Sequence, residues 1–333
     1  MEYMLNKDID GKKITVRQFQ MVLLSMLKDF DKVCKKNHLD YILFSGTVLG
    51  AVRHQGFIPW DDDLDVAIHR DQYQKLLTAL QKDLPDKYVV QCFETDERYL
   101  APFPAMKIRL KDTYLEERNI LLKNKCTTST GIFIDVFVLN SVSENKKEDL
   151  KWRRTNLCLS WLITGLENLD INPRLLKKKF IQNAKDYGKQ NKNSRLIGDE
   201  ITWVYNLPKK PYIYRYDDIY PTILLPFEDG KFPVPHHPEA FLEAHYGSNY
   251  MELPPENKRF SKHIKYVSLI SDCPERNKFH FRFQNLIVLC LLIAIVLTFL
   301  ALLLFDEISF FLGGLAIILI GIVLMILINS KKN

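Results

Sequence analysis

Four aspartates, Asp61, Asp62, Asp63 and Asp65, crowd into one short stretch of the segment FSGTVLGAVRHQGFIPWDDDLDVAI, which runs from Phe44 to Ile68. Carboxylates packed this closely repel one another, so a compensating cation is expected unless all of them project into water. Oxygen donors of this kind suit Mg2+ or Mn2+ rather than zinc. Upstream stand a small-residue turn, Ser45-Gly46-Thr47, and a basic pair, Arg53-His54. A turn that opens a helix can offer backbone N–H groups to a phosphate. Divalent metal beside such a turn is what phosphoryl transfer needs, because its catalysis is mostly positioning and neutralisation of charge.

These groups need elements to hold them. Tyr41 to Phe44 has the length and composition of a short buried strand that ends at the turn. A short helix is expected over Thr47 to His54, after which Gly56 and Pro59 deliver the chain to the acids. Leu64 to His69 reads as a strand. Residues i and i+2 of a strand share a face, so Asp63 and Asp65 can grip the same ion or pair of ions while Leu64 turns to the core. Asp61 has the same parity if the strand begins early; Asp62 would face away. Trp60 reads as a packing residue that fixes the acidic loop.

Farther along, GIFIDVFVL from Gly131 to Leu139 is nearly all apolar except for Asp135. Two readings are open: Asp135 sits on a solvated face or caps a turn, or it supplies the remaining ligand of a two-metal site. Lys107 and Arg109, two apart on an expected strand from Met106 to Leu110, are either a solvated face or phosphate contacts. Arg53 and His54 are either partners of the acidic cluster or substrate contacts. His236, His237 and His263 read as loop or capping histidines. Lys258 and Arg259 would meet substrate or anionic lipid headgroups.

The remaining elements follow from periodicity. Ile14 to Lys36 sets Phe19, Leu23, Leu27 and Phe30 on one helical face, and Asp71 to Leu84 repeats the pattern. Tyr88 to Phe93 and Ile132 to Leu139 read as further strands, and Glu144 to Leu169 and Pro173 to Gln190 as helices. Leu207 to Pro238 is loop-rich, and a short helix follows from Glu239 to Tyr246. Two uncharged stretches, Leu286 to Phe305 and Ile308 to Ile328, approach the ~20 residues that a bilayer-spanning helix needs. Arg276, Lys278 and Arg282 precede them and Lys331 and Lys332 follow, which predicts a two-span membrane protein with its catalytic part and both termini in the cytoplasm.

Composition narrows the function classes. The 333 residues are 47% hydrophobic and carry a net charge of +6. Basic residues are interspersed with acidic ones and form no aromatic-laced runs, so no nucleic-acid partner is expected. The six cysteines show neither a CxxC pair nor zinc spacing and read as reduced, mostly buried residues. The N-terminal stretch is polar throughout and carries no apolar export segment.

GTVLGAVRHQGFIPWDDDLDVAI resembles the signature of the LicD family, enzymes similar to phosphocholine transferases that decorate bacterial surface polymers. That family is placed in the nucleotidyltransferase fold superfamily typified by DNA polymerase β. The resemblance extends to MKIRLKDTY, to GIFIDVFVL and to the later blocks YPTILLPFEDGKFPVP and HYGSNYMELPPENKRFSKH, and so covers most of residues 20 to 265. It implies that Asp63 and Asp65 are a metal-binding DxD pair, Asp135 the third carboxylate and Asp61 an additional acid near the metals. It also implies phosphate- or substrate-contacting roles for Arg53, His54, Lys107 and Arg109. The spacer from Val48 to Asp62 is longer than is usual in the wider superfamily, so the acids align more securely with it than the Ser45-Gly46-Thr47 turn does.

The expected fold class is therefore α+β, a nucleotidyltransferase-like mixed sheet flanked by helices, with a helical extension and a C-terminal transmembrane helical hairpin. Residues 1–140 would form the catalytic core, 141–275 a helical and loop-rich substrate-binding part of the same unit, and 284–329 the hairpin. The expected activity is a membrane-anchored, metal-dependent phosphotransfer from a nucleotide-activated donor such as CDP-choline. The acceptor would be a hydroxyl of a cell-surface glycan or its lipid-linked precursor, with membrane lipid as a further partner. A DxD-type glycosyltransferase and a non-catalytic cation-binding membrane module are the alternatives.

Overall fold

The structure is a computed structural model that describes residues 3–7, 13–99, 105–118, 129–169, 171–200 and 212–270. Strands β1 (Met4–Lys7) and β2 (Lys13–Thr15) form a small antiparallel ribbon that feeds helix α1 (Val16–Lys36). Thr15 starts the helix with a capping box: its hydroxyl accepts from the Gln18 N–H, and the Gln18 side chain accepts from the Thr15 N–H. The apolar face predicted for α1 is the one that is buried, through Phe19, Leu23, Leu27 and Phe30.

Next come β3 (Tyr41–Leu43), α2 (Ser45–His54), β4 (Asp65–His69), α3 (Arg70–Asp83), β5 (Tyr88–Cys92), β6 (Met106–Leu110), β7 (Tyr114–Glu117) and β8 (Phe133–Ser141). Helices α4 (Lys146–Asn168) and α5 (Arg174–Gln190) follow, then β9 (Leu196–Asp199), β10 (Ile213–Arg215), the single turn α6 (Tyr216–Ile219), β11 (Ile223–Phe227), β12 (Gly230–Val234), α7 (Pro238–Tyr246) and β13 (Ile264–Ser268).

Seven strands make the central sheet, in the order β10-β9-β8-β4-β3, with β6 also paired to β8 and β5 to β6. The nine residues of β8 allow one edge to serve two partners. Its first half, Phe133 to Val136, pairs with β6, and its end, Leu139 to Ser141, pairs with β9. The β4–β8 pairing is parallel and the others in this sheet are antiparallel, so the sheet is mixed. Ile42, Leu43, Val66, Ile68, Val136 and Val138 are buried at its centre. Phe44 links the end of β3 to both sheet and α7, with ring centroids 5.2 Å from Phe137 and 5.7 Å from Phe241.

Three expectations change here. The stretch Leu207 to Pro238, read as loops, contains β10, α6 and the β11–β12 hairpin among its described residues. Pro226 and Pro233 disguise that hairpin, and both are tolerated because each strand of a two-stranded ribbon has a free edge. Second, among the described residues no helix is long and apolar enough to cross a membrane. The longest, α4 with 23 residues, is interrupted by Lys151, Arg153, Arg154 and Glu167 and falls short of a continuous apolar span. The two stretches expected to form the hairpin, within 284–329, lie outside the described residues. The described fold is thus a mixed α/β architecture around a central mixed sheet, and the expected transmembrane hairpin is not among its described elements. Third, the expected two-span membrane localisation with a cytoplasmic catalytic part is corrected to this finding: among the described residues no helix is long and apolar enough to span a membrane.

Candidate active site

The register of the central sheet assembles residues that lie far apart in sequence. Parallel pairing of β4 with β8 sets Asp65 directly beside Asp135, and antiparallel pairing of β6 with β8 sets Lys107 beside the same Asp135. Paired residues of neighbouring strands share a sheet face, so Asp65, Asp135 and Lys107 form one row across three strands. Lys107 Nζ lies 2.8 Å from Asp135 Oδ1 and 3.3 Å from the centre of the Phe133 ring.

Strand β4 begins at Asp65, so Asp61 and Asp63 sit on the irregular approach to it rather than on the strand itself. The ladder still reaches one residue upstream, because Asp135 donates its N–H to the Leu64 carbonyl at 3.0 Å. Leu64 faces the core as its sequence position predicts.

The small-residue turn is pinned to the first residue of β4 by two hydrogen bonds. Phe44 N–H donates to the Asp65 carbonyl at 2.9 Å, and Asp65 N–H donates to Thr47 Oγ1 at 2.9 Å. Ser45 adopts a left-handed backbone, φ 50°, as α2 opens. Its hydroxyl lies 3.3 Å from His245 Nε2 and 3.2 Å from the Tyr246 hydroxyl. Gly46 is where the turn meets the acids: a Cβ there would stand 3.0 Å from Asp61 Oδ2.

Electrostatics bind the four carboxylates into one group. Burial, then Asp63 and Asp62, push the Asp61 carboxyl well above its ordinary range, while Lys262 pulls it back. Burial, then Asp63, Asp135 and Asp61, push Asp65 well above it. Asp63 is raised by burial against the pull of His263 and Lys107. Burial lifts Asp135 to about 6 even though Lys107 opposes it. Repelling hard-oxygen donors of this kind are a chemistry that a divalent cation relieves. Their placement is less complete than their chemistry. Among the described residues no three acidic, histidine or cysteine side chains are gathered into a ready-made metal-binding set. Asp135 faces Lys107 instead, and Asp63 Oδ2 faces His263 Nδ1 at 3.6 Å.

The remaining predicted residues divide between rim and interior. Arg53 donates to the carbonyls of Tyr250 and Glu252 at 2.9 and 3.2 Å and stays within electrostatic reach of Asp61. Burial and then Arg53 lower the His54 pKa, and the His54 ring stands edge-on to Trp60. Arg109 is fully buried: its Nε donates to Gln91 Oε1 at 2.5 Å and its Nη1 to the Gly131 carbonyl at 2.7 Å. Those bonds hold the entry to β8 and turn the guanidinium into the protein.

Other residues reach the cluster that the strand argument leaves out. Asp62, expected to be a bystander, is buried and accepts from Ser261 Oγ at 2.5 Å, Ile264 N–H at 2.8 Å and His263 N–H at 3.1 Å. It thereby carries Lys262 and His263 to the acids. Tyr246 brings its hydroxyl beside Ser45 and within the field of Asp61, Asp65 and Asp63. The presence of YGSNYMELPPENKRFSKH in the family resemblance is the only sequence signal for these contacts.

Residues 38–155 match the family described as LicD/FKTN/FKRP, nucleotidyltransferase domain, a span that takes in the turn, the acids, Lys107 and Asp135. Over 290 residues, 78% of this chain and 100% of its relative, the sequence is 28% identical to the lipopolysaccharide cholinephosphotransferase LicD of Haemophilus influenzae. The chain is thus similar to the LicD family over the residues that carry the candidate site. Shorter stretches are shared with uncharacterised proteins of Rickettsia prowazekii, 45% identical over 78 residues, and of Rickettsia typhi, 40% identical over 84 residues. These cover 23% and 24% of this chain and 25% and 27% of the relatives.

Proposed function

We propose that this LicD-like protein is a phosphotransferase of the phosphocholine-transferring type, which moves a phosphorylated small group from a nucleotide-activated donor such as CDP-choline to a hydroxyl of a lipopolysaccharide or related glycan. The observation that carries the reading is the row Asp65, Asp135 and Lys107, set in register beside the Ser45-Gly46-Thr47 turn.

Asp61, Asp63, Asp65 and Asp135 would hold Mg2+ or Mn2+, their chemistry fitting a hard cation. The bound ion would neutralise phosphate oxygens and lower the pKa of the attacking hydroxyl. Lys107, held between Asp135 and the Phe133 ring, places a largely desolvated ammonium where negative charge on the transferred group develops. The turn presents the Ser45 hydroxyl and the start of α2 to the donor phosphates. Arg53 closes the rim. The acceptor oxygen forms the new P–O bond as the bond to CMP breaks, and the donor must be held so that these two oxygens lie in line.

The test combines purified protein, CDP-choline, Mg2+ and lipopolysaccharide, with CMP release and the mass of the product as readouts. Asp65→Asn and Asp135→Asn should each lower turnover by about 100-fold or more while circular dichroism stays unchanged. Full activity in either variant sinks the assignment. Release of UDP from UDP-sugars, with CDP-choline left intact, would transfer the case to a glycosyltransferase.

A further inference from the structure

The first and last residues of β4, Asp65 and His69, share a sheet face and stand about 13 Å apart at ~3.3 Å per residue. Beyond His69 a groove of about 1410 Å3 opens between the ends of β4 and β8, helix α5 and the segment from Tyr216 to Thr222. None of the acidic-cluster residues lines it. We propose that this groove is a carbohydrate subsite that holds the part of the acceptor remote from the reacting hydroxyl, an inference that rests on the glycan acceptor proposed above.

Size is the first argument. Pockets for single small molecules measure about 300–1,000 Å3, and this groove exceeds them, as a chain of several sugars requires. Surface chemistry is the second. A sugar has faces of C–H groups that lie against aromatic rings and rows of hydroxyls that need both donors and acceptors. Tyr216 is 44% exposed and tilts against Tyr220 at 5.2 Å, and both rings stand edge-on to His69 at 6.2 Å. Tyr216 turns its ring to water, while Tyr220 behind it packs partly against the core. Gln72, Asn193, Ser194 and Thr222 add amides and hydroxyls that donate and accept alike.

Charge is the third argument and separates a sugar from a phosphate or nucleotide. The exposed Lys189 and Lys192 are answered by Asp40, Asp71 and Asp217 along the same groove. Arg70 is committed to Glu200, and Lys185 lies 3.9 Å from Glu94. The lining thus lacks the unbalanced positive field that collects phosphates.

Calorimetry of the full chain with delipidated lipopolysaccharide core oligosaccharide, without donor, tests the subsite directly. Binding by the wild type should weaken about fivefold in Tyr216→Ala, the loss of one aromatic contact. The exposed Asn193→Ala should also weaken it and serves if the first variant misfolds. In the transfer assay KM for the oligosaccharide should rise by the same factor with kcat unchanged, and KM for a single-sugar acceptor should not move. No oligosaccharide binding by the wild type, unaltered binding in both variants, or displacement by inorganic phosphate would each overturn the inference. Binding through Tyr216 without any phosphocholine transfer would refute the proposed activity and leave the groove standing. Transfer with variants equal to wild type would refute the groove alone.

Discussion

Replacing Asp62 by Ala removes the acceptor that fastens residues 261–264 to the acidic loop. The carboxylate is buried and takes the N–H groups of His263 and Ile264 together with the Ser261 hydroxyl. Hydroxyls can rotate to another partner, but two main-chain donors lose theirs, at about 1–3 kcal/mol each. The expected loss of stability is therefore about 2–6 kcal/mol, a range that includes the about 3–5 kcal/mol cost of breaking a buried charged pair. Urea unfolding followed by tryptophan fluorescence and by circular dichroism measures it, and coincident transitions justify a two-state fit. Lys262 and His263 would lose their place beside Asp61 and Asp63, so turnover should fall even under conditions where the variant stays folded. A variant within about 1 kcal/mol of wild type and fully active would show that the clamp holds nothing.

Other perturbations probe separate parts of the molecule. Gly46→Ala places a methyl 3.0 Å from Asp61 Oδ2 and should lower turnover about tenfold with little change in melting temperature, because small displacements of a catalytic group cost rate before stability. Gly131→Ala drives a methyl into the Leu110 carbonyl and should destabilise by about 3 kcal/mol or more in thermal unfolding. Glu228 is held below its ordinary pKa of 4.5 by the Arg17 guanidinium, with help from the Phe57 N–H. Its stabilisation is present above about pH 4.5 and disappears as the pH falls and the carboxyl takes up a proton, so Glu228→Gln should differ from wild type at pH 7 and converge with it in acid. Denaturation midpoints measured across that range decide the point.

What the sequence revealed follows from how local each signal is. Helices α1, α3, α4 and α5 repeat an apolar face at helical spacing, and strands β3, β4, β6 and β8 are short apolar runs, so all were legible within two or three residues. The aspartates were conspicuous as a type, but their grouping was not. Asp65 meets Asp135 only through a strand register that no neighbouring residue encodes. Asp62 was misread because alternation predicts which face a residue takes in a strand, and residues 61–64 are not in one. Its partners lie 199 to 202 residues away, beyond any local pattern. Arg109 shares the parity of Lys107, yet Gln91 and Gly131 draw it inward. Strands β7, β9 and β13 are four or five residues long and pair with distant partners, which leaves little period to detect.

The parallel alignment of β4 with β8 also orders events in time. Asp65 and Asp135 are joined across a long intervening stretch of chain, and pairings of that range form late because loop closure is entropically costly. While the chain is still folding, Asp135 stays apart from the Asp61–Asp65 group in water and its repulsion with that group is weak. The repulsion reaches full strength only once β4 and β8 have zipped together and the surrounding apolar core is there to bear it. Mutations that weaken the acidic group should thus accelerate unfolding or slow it far more than they alter the rate at which the protein first folds.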